Sequence, residues 1–113
     1  MRIDNYSFGK IVIEGRIYTS DVIVYPDRIV SHWWRKEGHE LSVGDIDEVL
    51  MEKPETLIVG TGSPGLMKVL PQTQLKLKDE KIELIVEPTD EACIIFNRLA
   101  STKRVVACLH LTC

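Results

Sequence analysis

Three short stretches carry side chains of the kind that do chemistry. Gly60-Thr61-Gly62-Ser63-Pro64-Gly65 is a literal G-x-G-x-x-G after an apolar run, and Glu80 stands 20 residues after Gly60. A dinucleotide-binding turn asks for both, glycines that let the backbone approach a pyrophosphate and an acid that holds a ribose. It also needs a helix whose N-terminus opens on the phosphates. Here Pro64 and Pro71 leave only Leu66 to Leu70 between Gly65 and the next proline, about one and a half helical turns. The remaining chain is also too short for the second half of such a fold. A tight loop with its backbone close to a neighbour is the preferred reading. In a lesser version, the amides of residues 60–65 hold a small anion or a carboxylate.

The second stretch is His32-Trp33-Trp34-Arg35, followed by His39. In a strand the adjacent tryptophans point to opposite faces, one into the core and one toward the rim. The planar fork of Arg35 suits a phosphate or carboxylate. The simpler account, an aromatic seal with a locally paired arginine, outweighs that one. The third stretch, Cys108-Leu109-His110-Leu111-Thr112-Cys113, has metal-ligand letters. In a strand its two cysteines stand roughly 16 Å apart on opposite faces, which suits neither zinc nor a disulfide. Cys113 has no neighbour in sequence that would activate its thiol. No Ser or Cys occupies a nucleophile turn that would use His32, His39 or His110. The expectation is no cofactor, no metal and no catalytic set.

The elements that must position these residues are legible in part. Ile11-Val12-Ile13, Tyr18 to Tyr25 and Arg28 to Trp34 are rich in β-branched and aromatic residues, with Gly15-Arg16 and Pro26-Asp27 as turns. They predict an N-terminal β-meander. Ser42 and Asp45 suit a helix start, Ile46, Val49 and Leu50 form one apolar face, and Pro54 ends the helix. Leu57-Ile58-Val59 predicts a strand covered on both faces. A weakly amphipathic helix over Gln72 to Glu80 and a strand over Ile82 to Val86 follow. Thr89 is expected to cap the next helix, with Asp90 and Glu91 in its first turn and Ala92, Ile95, Phe96 and Leu99 on its buried face. Arg104 to Leu111 closes as a strand. Strand–helix alternation from residue 45 implies parallel strands joined by right-handed crossovers. The expected fold is a three-layer α/β domain with a mixed central sheet, the N-terminal meander preceding alternating helices and parallel strands.

Composition excludes several function classes. A chain of 113 residues fits one domain, residues 1–113, and 44% hydrophobic with 27% charged residues is too apolar for a disordered chain. The net charge of −3 comes without a cationic stripe, since Asp79 and Glu80 interrupt Lys76 to Lys81; nucleic acid is not expected. No apolar run approaches the ~20 residues of a membrane span. The N-terminus has no apolar leader, and three cysteines, an odd count, fit a reducing compartment. The expected location is cytoplasmic.

Four groups of residues occur here in one order: Trp34-Arg35 with Gly38-His39; Gly60-Thr61-Gly62 after a strand; Thr89-x-x-Ala92 running to Asn97-x-Leu99; and His110-x-Thr112-Cys113. Together they resemble a family of small domains of unknown function found in archaea, bacteria and eukaryotes. Its members include a human adipogenesis-associated protein and a mitochondrial assembly factor for respiratory complex I. The likeness runs from about Tyr6 to Cys113 and looks like an archaeal or bacterial single-domain member. One departure is Lys81, where the resemblance implies a glycine before the strand at Ile82. The resemblance implies a three-layer α/β fold and brings no established activity, cofactor or substrate. For the eukaryotic relative it implies assembly work through protein contacts.

Two functions follow as expectations. The first is a non-catalytic interaction or assembly-factor-like module with a protein partner. The alternative is a small-molecule or anion-binding α/β domain, extending to a weak enzyme. Its pocket would lie beyond the carboxyl ends of the parallel strands, with Arg35, Gly60, Thr61, Gly62, Ser63, Thr89 and His110 as ligand-binding candidates. A monomer and a homo-oligomer are both compatible with the sequence.

Overall fold

The computed structural model describes residues 1–113. Its centre is a sheet built from Val22–Val24 (β4), Ile29–Ser31 (β5), Thr56–Gly60 (β7), Glu83–Glu87 (β9) and Val105–Leu109 (β10), in the order β5-β4-β10-β7-β9. The strands β10, β7 and β9 run parallel, and β4 and β5 are antiparallel additions at one side. The mixed sheet expected from the sequence is therefore present. Every residue of β7 and β10 is buried, as strands covered on both faces must be.

Alternate residues of these strands feed two cores. Val105, Ala107 and Leu109 pack with Ala92 and Phe96 of helix α3 (Thr89–Leu99). Ile3, Ile11 and Ile13, from Ile3–Ser7 (β1) and Lys10–Ile13 (β2), join the same cluster. Val106 and Cys108 point the other way, to Ile46, Val49 of α1 (Asp47–Glu52) and Leu77 of α2 (Pro71–Asp79). Three layers result, with β1, β2 and Arg16–Tyr18 (β3) forming a separate antiparallel sheet beside α3.

Two boundaries differ from the sequence reading by more than two residues. The stretch Tyr18 to Tyr25 is not one strand; Thr19 to Asp21 leave the pleat and carry the chain from one sheet to the other. The strand from Arg28 stops at Ser31, because His32 takes a left-handed conformation (φ 58°). Trp33 and Trp34 do part, one buried and one 77% exposed, but in irregular chain that follows the bend at His32 rather than by strand alternation. A two-residue parallel ladder, Glu40–Leu41 (β6) with Lys68–Val69 (β8), was not expected.

Helix starts follow local chemistry. The Ser42 amide and hydroxyl both donate to Asp45 Oδ2 at 2.8 Å, and a 3-10 turn over Val43–Ile46 leads into α1. Lys53 ends α1 in a left-handed turn before Pro54. On α2 only Thr73 and Leu77 are buried, which accounts for its faint periodicity. Asn97 of α3 accepts from the Ile3 amide (2.9 Å) and donates to the Ile3 carbonyl (2.7 Å), so its side chain pairs with β1 as a strand would.

Candidate functional site

The carboxyl ends of β7, β9 and β10 meet on one edge, where the loop 60–65, the segment 87–89 and His110 converge. Thr89 joins them. Its hydroxyl donates to the His110 carbonyl (2.6 Å) and accepts from the Gly62 amide (2.9 Å), and its own amide donates to the Gly62 carbonyl (3.1 Å). The expected capping role of Thr89 is thereby corrected: Pro88 is the N-cap, and Thr89, the first helical residue, is fully buried with its hydroxyl turned to the strand ends.

The glycines serve this packing. A Cβ on Gly60 would stand 2.9 Å from both Thr89 Oγ1 and Leu109 Cδ2. Gly62 has φ +98°, and a Cβ there would run into the Thr112 carbonyl and the His110 ring. The tight loop read from the sequence is thus what the chain forms. The Thr61 amide donates to Glu87 O (2.9 Å) and the Ser63 amide to Thr112 O (3.0 Å). With the Gly62 amide on Thr89, three amides offered to an anion by the sequence reading already have acceptors in the chain. Ser63 itself is exposed.

Arg35 reaches the same edge from the other side. Its Nη1 donates to Asp21 Oδ2 (2.8 Å), its Nη2 to the Gly38 carbonyl (2.9 Å), and its guanidinium carbon lies 4.7 Å from the centre of the Trp33 ring. Arg35 is paired within the chain, as the simpler account had it, but its half-buried partner lies 14 residues away rather than nearby. Asp21 also accepts from the Leu111 amide (2.8 Å) and lies 2.8 Å from His110 Nδ1. Arginine has only donors, and Asp21 as carboxylate has only acceptors. His110 Nδ1 can therefore bond Asp21 only as a donor, and the 3.1 Å approach of Arg35 Nη2 to that protonated nitrogen is a contact, not a second hydrogen bond. His110 Nε2 and Arg35 Nε are both buried without a partner. Burial alone would raise the Asp21 pKa. Hydrogen bonds from His110, the Leu111 amide and Arg35 outweigh that and hold it below its ordinary value.

Of the seven candidates, Arg35 and His110 lie 3.1 Å apart, and Gly60, Gly62, Thr89 and His110 pack on one another. Thr61 hydrogen-bonds Glu87, and Ser63 stays at the rim. The sequence reading missed Asp21, which binds Arg35 and His110 together. An acid inside an otherwise β-prone apolar stretch was the available signal.

An open cleft of about 590 Å³ lies beside this lattice on the α2 side. Thr61, Gly65, Met67, Lys68, Gln74 and Glu87 line it; Arg35, Thr89 and His110 do not. No three His, Cys, Asp or Glu side chains gather as a metal would require. Burial pushes the Cys93 thiol up to about 12 and the Cys108 thiol higher still, so both are inert thiols. No helix is long and apolar enough to cross a membrane.

These features define a three-layer α/β fold whose convergent polar edge is closed on itself. Residues 3–110 match the protein family of unknown function DUF498/DUF598. The chain belongs to that family. A conserved hypothetical protein of Pyrococcus horikoshii has the same fold at 31% identity, with a TM-score of 0.86 and all of both chains covered. The protein MT938 follows at 30% identity and a TM-score of 0.82, over 99% of this chain and 98% of that one. The chain is also 29% identical over 85 residues to a flagellar P-ring protein of Aquifex aeolicus; the match covers 75% of this chain and only 21% of that larger protein.

Proposed function

We propose that this chain is a non-catalytic interaction module, one domain working in the cytoplasm through a protein partner, in the manner of an assembly factor. One observation carries the reading. Where an α/β enzyme would present free groups at its strand ends, the loop amides and strand-end carbonyls here are engaged with one another, Thr89 Oγ1 joining the Gly62 amide to the His110 carbonyl. A site committed to its own hydrogen bonds holds strands together and has little left for a substrate. The resemblance to a mitochondrial assembly factor supports the same reading. So does the match to a stretch of a much longer flagellar protein, which suits a module used in larger contexts. The test is a cross-linked pull-down from native lysate with the full chain as bait. A stoichiometric protein partner is expected; none in repeated preparations would reject the module.

A second reading rests on His110 Nε2 and Arg35 Nε, both buried without a hydrogen-bond partner. In it a small anion or carboxylate enters between Arg35, His110 and the loop of Gly60, Thr61, Gly62 and Ser63, next to Thr89, after local opening. A thermal-shift panel of phosphate, nucleotides and common carboxylates decides it. A ligand at 100 times its dissociation constant should add about 2.7 kcal/mol, and Arg35→Ala should abolish the shift.

A further inference from the structure

The strand β9 ends the central sheet, with β7 on one side and no strand on the other. The Glu83 amide donates to Glu55 O, and Glu87 O accepts from the Thr61 amide. In a parallel ladder the residues that face a given neighbour alternate. Glu83, Ile85 and Glu87 therefore bond β7, and Leu84 and Val86 direct their N–H and C=O groups to the open edge. Unpaired edge groups of this kind accept a further strand.

The side chains of Leu84 and Val86 face α2 and floor a groove. Its two hollows, about 590 and about 640 Å³, share Gln74 and Leu84. Val86 is 41% and Leu75 60% exposed there. Lys68 borders one hollow and Lys78 the other, and neither forms an ion pair, whereas Lys76 and Lys103 do. The opposite face of β9 carries Glu83, which accepts from the Thr56 hydroxyl (2.8 Å) and pairs with Lys103 (3.5 Å) at the surface, and, by register, Glu87, which also borders the first hollow.

We infer that the β9 edge takes up an extended segment of a different protein as a sixth strand. Its alternate apolar side chains enter the α2 groove with acidic residues toward Lys68 and Lys78, and its other face presents basic residues to Glu83 and Glu87. This rests on the interaction-module reading and names the surface it uses. A second copy is the poorer occupant. Antiparallel self-pairing of all five β9 residues centres on Ile85 and sets Glu83 opposite the other copy's Glu87 at both ends, and like charges directly opposite repel.

The test uses two labelled heptapeptides of one composition, Glu-Lys-Val-Thr-Leu-Lys-Glu and Lys-Glu-Val-Thr-Leu-Glu-Lys, titrated by fluorescence anisotropy. The first should bind at least about tenfold more tightly, and Lys78→Glu should erase the preference. Val86→Pro removes an outward N–H and exchanges one small apolar side chain of the groove floor for another, at a residue whose predecessor is already extended. It should keep the melting temperature and weaken the first peptide about tenfold or more. If the variant loses its fold, amide exchange in the wild type decides instead. Leu84 and Val86 should exchange faster than Ile85 and Glu87, and slow when the first peptide is added. Equal binding of the two peptides, no binding of either at about 1 mM, or no slowing would overturn the inference. So would a wild-type dimer that Val86→Pro dissociates, which would give the edge to a second copy. A lysate partner held equally by wild type and Val86→Pro would remove the edge and leave the module standing.

Discussion

Two neighbouring regions at the carboxyl ends of the sheet use polar groups in opposite ways. Around Asp21, Arg35, Thr89 and His110, buried and half-buried charged and hydroxyl groups are tied to one another across long sequence separations. Along β9, backbone groups and two lysines are left to solvent over an apolar groove. Buried polar lattices are costly to break and rigidify what they join. Open edges cost little to alter and are free to bind. The difference separates where this fold gets its rigidity from where it has surface to offer.

Asp21→Ala should break the closed region most severely. It leaves the Arg35 guanidinium, whose side chain is 4% exposed, without its carboxylate. Removing one partner of a buried pair costs about 3–5 kcal/mol, so the melting temperature should fall by more than about 10 °C. By contrast, Val86→Thr at the edge should move stability by no more than about 0.5 kcal/mol. Similar losses for both in paired calorimetric scans would dissolve the distinction between the regions.

Next in size is the loop. Gly62→Ala asks an L-residue to hold φ +98° against the Thr112 carbonyl, a backbone cost of about 1–3 kcal/mol. Thr89→Val keeps shape and removes the shared hydroxyl, stranding the Gly62 amide and the His110 carbonyl; about 1–3 kcal/mol should go. Chemical denaturation measures both. A neutral Thr89→Val would mean that the hydroxyl does not join the strand ends.

Acid should act on the same region. Asp21 has a folded pKa below its ordinary value of 3.8. A depressed carboxylate binds fewer protons folded than unfolded, so its stabilisation is complete above the ordinary value. It is lost as pH falls from there through the lowered one. Stability measured from pH 5 downward should decline less steeply in Asp21→Asn than in wild type. Identical slopes would show that Asp21 does not drive the acid loss.

Much of the fold was legible because it rests on local pattern. The apolar run at Leu57 to Val59 and the spacing of Ala92, Phe96 and Leu99 need no distant information to predict β7 and α3. The convergence of residues 60–65, 87–89 and 110 was also legible, since parallel strands place their carboxyl ends on one edge. What each group does there was not. Arg35 pairs with Asp21, 14 residues away, and His110 with the same acid 89 residues away. Thr89 looked like a cap because a threonine before a helical pattern usually is one; only the buried strand ends on either side turn its hydroxyl inward. The split between β3 and β4 was hidden for a related reason. Thr19-Ser20-Asp21 is short enough to pass for strand, and the pull on Asp21 comes from distant partners. The two-residue ladder of β6 and β8 lies below any periodicity.

The smallest expected effect lies at the entry to the open edge. Lys81 precedes β9 with φ 59°, a left-handed conformation in which glycine has no Cβ penalty. The family resemblance implied a glycine at this position, and the turn has the geometry that explains why. For a residue with a Cβ the left-handed region costs roughly 1–2 kcal/mol, while glycine loses more backbone freedom on folding. The two terms partly cancel, so Lys81→Gly should stabilise the chain by less than about 1 kcal/mol. A guanidinium titration at neutral pH resolves a change of that size as a higher midpoint at unchanged slope. A lower midpoint would show that the lysine side chain contributes more at this edge than its backbone strain removes.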